Sequence, residues 1–275
     1  MPLSVNTNIA SLTAQRSLSN SQSTLETAFE RLSTGKRINS AVDDAAGLAI
    51  GQTLTSKVNG LNQAIRNAND GISVVQIAEG ALDEVTTILQ RMRDLAVQAA
   101  NDSLSGTERG YLDSEASKLA DALDDVAGAA KFGSTSLLSG SFSSKSFQVG
   151  ADAGDTLSIS IDTVTAAKLA VTAGAIDLST AAGSASDAIA DIDTALGSVA
   201  GFRASLGAIQ SQLESTVRNL ANVSENTAAA RGRIMDTDYA AETANLTKAQ
   251  ILQQASTAIL AQANAQPQSV LALLQ

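Results

Sequence analysis

The stretch LSTGKRINSAVDDAAGLAI, residues 32–50, separates two helical patterns and therefore decides how the chain is organised. Gly35 suits the C-terminal stop of the first helix. Ser40 and Asp43 match the capping box of a new helix. The negative charges of Asp43 and Asp44 are also favourable at the positive N-terminal end of a helix. The sequence thus predicts a helix end, an extended joint and a helix start. The predicted joint residues are Gly35, Lys36, Arg37, Ile38, Asn39, Ser40, Asp43 and Asp44.

The pattern that follows the joint predicts a long rod. From Leu54 to Ala96 the apolar positions recur at steps of four and three, which is typical of a coiled-coil helix. At 1.5 Å per residue this run is about 63 Å long, more than a compact domain requires. Similar apolar stripes over 189–234 and 107–126 predict two further helices, so we expect a mainly α fold, a long coiled-coil-like bundle.

Composition changes between residues 131 and 186, where Gly, Ser, Thr and Ala dominate. The alternating segments SFQVG (146–150) and TLSISID (156–162) predict a β-hairpin. The segment TAAKLAVTAGAIDLSTAAGSAS (165–186) lacks a period, and we expect it to be an irregular, exposed tip. Before the third helix, Ser105 and Glu108 form a second capping-box pattern.

The two ends of the chain resemble each other, because each carries an apolar stripe on a polar but almost uncharged helix. Residues 1–25 contain only Arg16, and residues 243–275 contain only Lys248, as charged side chains. Such helices suit burial between several protein copies or the lining of a narrow wet channel, since desolvated charges would be costly. An ordinary weakly charged surface is the alternative. The predicted packing residues are Leu18, Leu25, Phe29, Leu32, Leu252, Ala255 and Ile259.

Composition excludes most catalytic chemistry. The chain has no Cys and no His, which removes thiolate and imidazole nucleophiles, bases and zinc ligands, so we predict no enzyme and no cofactor. A net charge of −10 disfavours nucleic acid, and no stretch is apolar enough for membrane insertion. The N-terminus lacks the pattern of a cleaved signal peptide.

Two motifs near the joint invite functional interpretations. STGKR (33–37) is not a phosphate-binding loop, because Glu30 replaces the required first glycine and Arg37 replaces the final Ser or Thr. Asp43 and Asp44 could be metal ligands, but their position at a helix start favours capping over metal binding.

Several longer stretches together resemble bacterial flagellin over about 1–130 and 185–275. They are VNTNIASLTAQ, ERLSTGKRINSAVDDAAGLAI, NANDGISVVQIAEGAL, LQRMRDLAVQAAN, RGRIMDTDYAAETANLTKAQILQQA and LAQANAQPQSVLALL. The chain is similar to a short flagellin that lacks the large outer domains. The resemblance implies a subunit that self-assembles into the helical flagellar filament for motility. It also implies an inner terminal-helix domain of 1–42 and 236–275, an outer domain of 43–235, and a joint that connects the two layers.

The resemblance further implies an extracellular location after type III export without a cleaved signal peptide. The implied partners are other copies of the chain, an export chaperone that holds the C-terminal helix, the filament cap and hook-junction proteins. A host Toll-like receptor is implied as well. Its contacts would be Leu89, Gln90, Arg91, Leu95, Gln98 and Glu115.

Three alternatives remain open at this point. A hook–filament junction protein of the same superfamily would resemble flagellin mainly at its ends. A flagellin with an inserted protease is disfavoured, because 131–186 is too short for a catalytic domain. A secreted coiled-coil adhesin would use its Ser/Thr-rich tip as the contact surface.

Overall fold

A computed structural model describes the backbone of residues 7–273 and the side chains up to residue 266. The mainly α prediction is confirmed. The helices are α1 (Ile9–Thr34), α2 (Ala45–Ala99), α3 (Gly106–Ala129), α4 (Ala182–Met235) and α5 (Tyr239–Leu273), and the strands are β1 (Lys131–Phe132), β2 (Thr135–Ser136), β3 (Lys145–Gln148) and β4 (Thr156–Ile159).

The chain divides into two compact units, which are described separately. The first comprises Met1–Lys57 and Asn226–Gln275, and the second comprises Val58–Glu225. The predicted inner domain of 1–42 and 236–275 concerns layers of a filament and stays a prediction. Its outermost residues, 1–6 and 274–275, lie outside the described range.

The first unit is built on an antiparallel pair of α1 and α5. The amide of Asn8 donates a 2.7 Å hydrogen bond to the carbonyl of Ala263 at one end of the pair. At the other end the Arg31 guanidinium lies 3.9 Å from the Glu242 carboxylate. Asn8 also caps α1, since its Oδ1 accepts from the backbone N–H of Ser11 at 3.0 Å.

The second unit has a core of aliphatic side chains from α2, α3, α4 and the segment between α3 and α4. The predicted stripes supply it, and the largest fully buried side chains include Leu82, Leu89, Leu123, Ile192 and Leu213. Aliphatic side chains from these helices fill the core with few aromatic rings among them. The predicted rod is therefore confirmed as a continuous helix, α2, of 55 residues.

Local signals predicted the elements around this core well. The capping box of α3 is present, with the Ser105 hydroxyl and the Glu108 carboxylate each accepting the other residue's backbone N–H. The expected hairpin is present as the antiparallel pair β3–β4, in which Lys145 faces Ile159 and Gln148 faces Thr156. The two-residue pair β1–β2 was not predicted.

The segment before α4 differs from expectation. Residues 165–181 lack regular structure, as predicted, and the rest of the predicted tip belongs to α4. The expectation that this segment is exposed is wrong. Val171 and Leu178 are fully buried in the core, and Val164 is nearly so. Two α3 carboxylates hold the segment, since the backbone N–H of Ala166 donates to Asp124 at 2.7 Å and that of Leu178 donates to Asp113 at 3.0 Å.

The glycines inside α2 differ in how closely other parts of the chain approach them. A Cβ on Gly60 would lie 3.2 Å from the Cβ of Ala151, and one on Gly71 would lie 3.3 Å from Cδ1 of Ile159. These two glycines therefore permit the hairpin region to approach the helix closely. A Cβ on Gly80 would meet nothing within 4 Å, so this glycine is merely tolerated.

Candidate functional site

The joint begins where α1 ends. Gly35 adopts the left-handed conformation, with φ of 69°, directly after the last helical residue, Thr34. This is the predicted C-terminal stop, and glycine is favoured there because an L side chain is strained at positive φ. A Cβ at this position would also lie 2.7 Å from the hydroxyl of Tyr239 at the start of α5. Tyr239 was not predicted as part of the joint.

The start of α2 corrects the predicted cap. The Asp43 carboxylate does accept hydrogen bonds from the backbone N–H and the hydroxyl of Ser40, but the two residues form a turn that precedes the helix. The helix cap is Asp44, whose Oδ1 accepts from the backbone N–H of Gly47 at 2.8 Å and whose carbonyl accepts from that of Leu48. Both acids therefore act on backbone N–H groups, as the capping interpretation requires.

The turn itself is tightly hydrogen-bonded. One carboxylate oxygen of Asp43 accepts from the backbone N–H of Ser40 at 2.9 Å and from that of Asn39 at 3.1 Å. These hydrogen bonds, that from Ser40 first, hold the pKa of the Asp43 carboxyl below its usual value, with a smaller contribution from the Arg31 charge. At the tip of the turn Val42 is 96% exposed.

An antiparallel backbone bridge joins the joint to the residues between α4 and α5. The N–H of Arg37 donates to the carbonyl of Met235 at 2.7 Å, and the N–H of Thr237 donates to the carbonyl of Gly35 at 3.1 Å. The Arg37 side chain adds a 2.8 Å hydrogen bond to the carbonyl of Ile234. We call these contacts the backbone bridge. They hold the chain where it leaves α1 beside the chain where it enters α5.

Arg37 and Ile38 thus have structural partners at the joint. Arg37 binds backbone carbonyls, and Ile38 is buried, with 2% exposure. Lys36 lines an open groove with Arg231 and Asp236. Among residues 7–273, no group of three or more acidic side chains is placed to hold a metal ion.

The predicted packing residues of the terminal helices fall into two sets. Leu18, Leu25 and Leu32 are half-buried between α1 and α5. The others are exposed to solvent. They are Phe29 (55%), Leu252 (46%), Ile259 (59%) and Ala255.

Further exposed apolar residues accompany this second set. Ile9 and Leu12 on α1 are 68% and 54% exposed, and Ile251 on α5 is 59% exposed. Within their helical spans α1 and α5 contain only six charged residues, Arg16, Glu26, Glu30, Arg31, Glu242 and Lys248. We call the exposed apolar and uncharged polar surface of α1 and α5 the outer face. A surface of this composition is typical of one that is covered in an assembly.

The six candidate receptor residues also divide by burial. Leu89 and Leu95 are 0% and 1% exposed, so they belong to the core and offer no contact surface. Gln90, Arg91, Gln98 and Glu115 are exposed. The structure brings Arg91 and Glu115 together, with Nη2 of the arginine 2.6 Å from Oε1 of the glutamate.

One buried acid at the terminal pair was not predicted. Glu242 is 8% exposed between α1 and α5 and faces Arg31. The signal was present in the sequence, because Glu242 precedes Leu246 by four residues and Ala249 by seven, which continues the stripe of α5. None of the described helices is both long and apolar enough to cross a membrane.

Comparison with known proteins agrees with this architecture. Family models described as the bacterial flagellin N-terminal and C-terminal helical regions match residues 5–143 and 189–274. Flagellin B of Vibrio cholerae is 37% identical over 376 aligned positions that cover all of both chains. Polar flagellin F of Vibrio parahaemolyticus is 38% identical, again over the whole of both chains. The alignment is longer than the 275 residues of this chain because the relatives are longer and contain residues with no counterpart here.

Two solved structures share the fold. The crystal structure of Bacillus cereus flagellin has a TM-score of 0.50 and 30% identity, covering 60% of this chain and 94% of that one. A putative flagellar hook-associated protein from Vibrio parahaemolyticus has a TM-score of 0.60 over 70% of this chain and all of that one. At 17% identity the second shows likeness of fold alone.

The paired terminal helices, the joint and the helical core define a structural protein of the bacterial flagellum. The chain belongs to the bacterial flagellin family, and its match to both terminal regions covers more than half of its length. Family members are structural rather than catalytic proteins. The resemblance to a short flagellin is thereby confirmed.

Proposed function

We propose that this protein polymerises through the outer face of α1 and α5 into a helical flagellar filament outside the cell. The observation that carries the proposal is the exposure of Ile9, Leu12, Phe29, Leu252 and Ile259 on helices with few charges. Full burial of a Leu, Ile or Phe contributes about 1.5–3 kcal/mol, and these side chains, which are 46–68% exposed, would gain roughly half of that each. Neighbouring copies would cover these side chains without desolvating many charges.

Within such a filament the predicted layers acquire a physical role. The inner layer would be the terminal helices, 1–42 and 236–275, and the outer layer would be 43–235. The joint would carry the chain between them, because it ends one helix at Gly35 and caps the next at Asp44. Its backbone bridge would keep both crossings side by side.

Assembly outside the cell also requires an export route and accessory proteins. We propose export through the flagellar type III apparatus, with a chaperone that covers the outer face of α5 before assembly. Exposed Leu252 and Ile259 are the kind of apolar surface that a chaperone would shield. The filament cap and hook-junction proteins would meet the same face at the two ends of the polymer.

The test is polymerisation of the purified protein, followed by sedimentation and electron microscopy. Leu252→Asn and Ile259→Asn should abolish sedimentable tubes and leave the free subunit folded, since both side chains are exposed there. Thr257→Asn, at an exposed polar position of the same helix, is the matched control and should polymerise normally. Polymerisation of both apolar variants at the wild-type concentration would refute the assignment of the outer face.

The same assay separates the alternatives. A hook–filament junction protein should stop at short or capped forms, whereas a filament subunit should form long tubes. Identity of 37% to flagellin B over the whole chain favours the filament subunit. An adhesin would bind a surface through 131–186 and show no ordered polymer.

We also propose that Gln90, Arg91, Gln98 and Glu115 form the contact for a flagellin-sensing Toll-like receptor. Their exposure, and the pairing of Arg91 with Glu115 across two helices, support this surface. Leu89 and Leu95 would act only by packing beneath it.

The receptor test needs a control of equal chemistry. Arg91→Ala and Glu115→Ala should lower receptor activation by soluble protein, because each removes part of the exposed pair. Arg93→Ala also removes an exposed ion pair, at 2.6 Å to Asp193, but from a neighbouring position of α2, and it should activate normally. Equal loss in all three variants would indicate a general effect on the helices and contradict the proposed contact.

A further inference from the structure

The interface between α1 and α5 repeats every seven residues on both helices. The positions alternate steps of three and four, as in a coiled coil, and all of them are buried or half-buried. We call these positions the seam. On α1 they are Ser11, Ala14, Leu18, Ser21, Leu25, Ala28 and Leu32, and on α5 they are Glu242, Leu246, Ala249, Gln253, Ser256, Leu260 and Ala263.

Contacts at the two ends of the pair show which seam residues face each other. The Ser11 hydroxyl donates to the Asn264 side chain at 2.7 Å, and Arg31 lies 3.9 Å from Glu242. Aligned on these contacts, five of the seven layers of the seam match a large residue with a small one. The facing pairs are Leu32 with Glu242, Ala28 with Leu246, Leu25 with Ala249, Ser21 with Gln253, Leu18 with Ser256, Ala14 with Leu260 and Ser11 with Ala263.

Side-chain size alone sets this register weakly. If α5 moved by seven residues along α1, large side chains would still face small ones. The facing pairs would then include Leu32 with Ala249, Leu25 with Ser256, Ser21 with Leu260 and Leu18 with Ala263. The many Ser and Ala positions also bury little apolar area, so a helix pair of this kind is marginal without further support.

The end of the seam beside the joint is different, because it contains an ion pair. The Glu242 side chain is only 10% exposed and the Arg31 side chain 29% exposed. Nε of Arg31 is buried and has no hydrogen-bond partner among the described residues. Any shift of register would separate the two charges and leave a buried charge uncompensated, which is strongly unfavourable.

The backbone bridge adjoins this ion pair. Gly35 and Arg37 are tied to Thr237 and Met235, only a few residues from Arg31 and Glu242 along each chain. The entropic cost of closing a loop rises with its length, so the helices meet most easily next to these fixed points. Ala14 and Leu260 lie far from them along the chain and gain no such help.

We propose that Arg31 and Glu242 are positioning residues for the terminal helices: with the backbone bridge they fix the register, and the seam pairs outward from them. The closing of the distant layer of Ala14 and Leu260 then depends on the ion pair at the other end of the seam. Without the ion pair, α1 and α5 sample shifted registers and the layer of Ala14 and Leu260 closes less often.

The chain has no cysteine, so an introduced pair can report this layer cleanly. The experiment uses the full chain carrying Ala14→Cys and Leu260→Cys, and it follows intramolecular disulfide formation by non-reducing electrophoresis. Adding Glu242→Ala should slow the disulfide at least about tenfold, because the Arg31 charge then loses its partner in a partly buried site. Adding Lys248→Ala, which removes an exposed charge outside the seam, should leave the rate unchanged.

A charge exchange separates positioning from general stability. Arg31→Glu combined with Glu242→Arg restores an ion pair at the same place, although both charges then oppose the helix dipoles. The double variant should therefore form the disulfide faster than either single charge reversal. The proposal is overturned if Glu242→Ala matches Lys248→Ala, or if the exchanged pair is no faster than the single reversals. Circular dichroism and hydrogen exchange of the second unit should be unchanged in all variants. The measurement is made on the free chain, so its result stands apart from whether the protein polymerises.

Discussion

Gly35→Ala offers a sharp test of the joint. An alanine held at φ of 69° costs about 1–2 kcal/mol, because its Cβ crowds the following carbonyl oxygen. The added Cβ would also lie 2.7 Å from the Tyr239 hydroxyl, although that side chain is 57% exposed and can move away. The strain lowers the fraction of free subunits whose joint is closed and ready to assemble, so we expect the critical concentration for polymerisation to rise by up to roughly 5–30-fold.

Two further variants isolate the parts of this effect. In a Tyr239→Phe background the clash with the hydroxyl disappears, so Gly35→Ala should cost less there than in the parent chain. Gly80→Ala is the control, because its Cβ would enter open space in the middle of α2. A critical concentration for Gly35→Ala equal to that of the parent chain would refute the role given to the left-handed stop.

The remaining predictions concern both units. Gly80→Ala should raise the free energy of unfolding, measured by urea titration, by up to about 1 kcal/mol. Gly60→Ala should raise it less or lower it, because the added Cβ meets Ala151. Hydrogen bonds from Thr180 first, and then from Ser179, lower the pKa of Asp177 to about 2. Its contribution to stability is therefore complete above pH 4 and lost as the pH falls towards 2, and Asp177→Asn should flatten acid unfolding over that interval. Limited proteolysis of the free subunit should trim both ends before it cuts roughly 45–235, because the marginal α1–α5 pair opens transiently until neighbouring copies cover it. Ends as resistant as that core would contradict this. Gly35→Pro or Asp43→Lys should impair or straighten filaments while sparing that same core, and normal curved filaments from both would argue against the joint.

Local patterns predicted what local physics determines. The continuous α2, the capping box of Ser105 and Glu108, and the β3–β4 hairpin each depend on residues close in sequence. The cap of α2 shows the limit of this approach. Ser40 and Asp43 fit the pattern, but they close a turn, and Asp44 one residue later caps the helix. Sequence spacing does not distinguish these two uses of a carboxylate.

Long-range packing explains the larger differences. The segment holding Val171 and Leu178 has no period, so its burial could not be predicted without knowing that Asp113 of α3 binds its backbone. Leu89 is a different case, because it already belonged to the apolar stripe of α2. Resemblance placed it in a receptor contact, while its periodicity indicated the core, and periodicity was the better guide.

The scarcity of charge on the outer face has a consequence for the environments in which a polymer would hold together. Contacts between exposed charges weaken as salt shortens the Debye length, from about 30 Å at 0.01 M to about 8 Å at 0.15 M. Contacts made by Leu252, Ile259 and uncharged polar groups have no comparable dependence. A filament held in this way should remain equally stable when a cell moves from fresh water to salt water, with no change in its subunits.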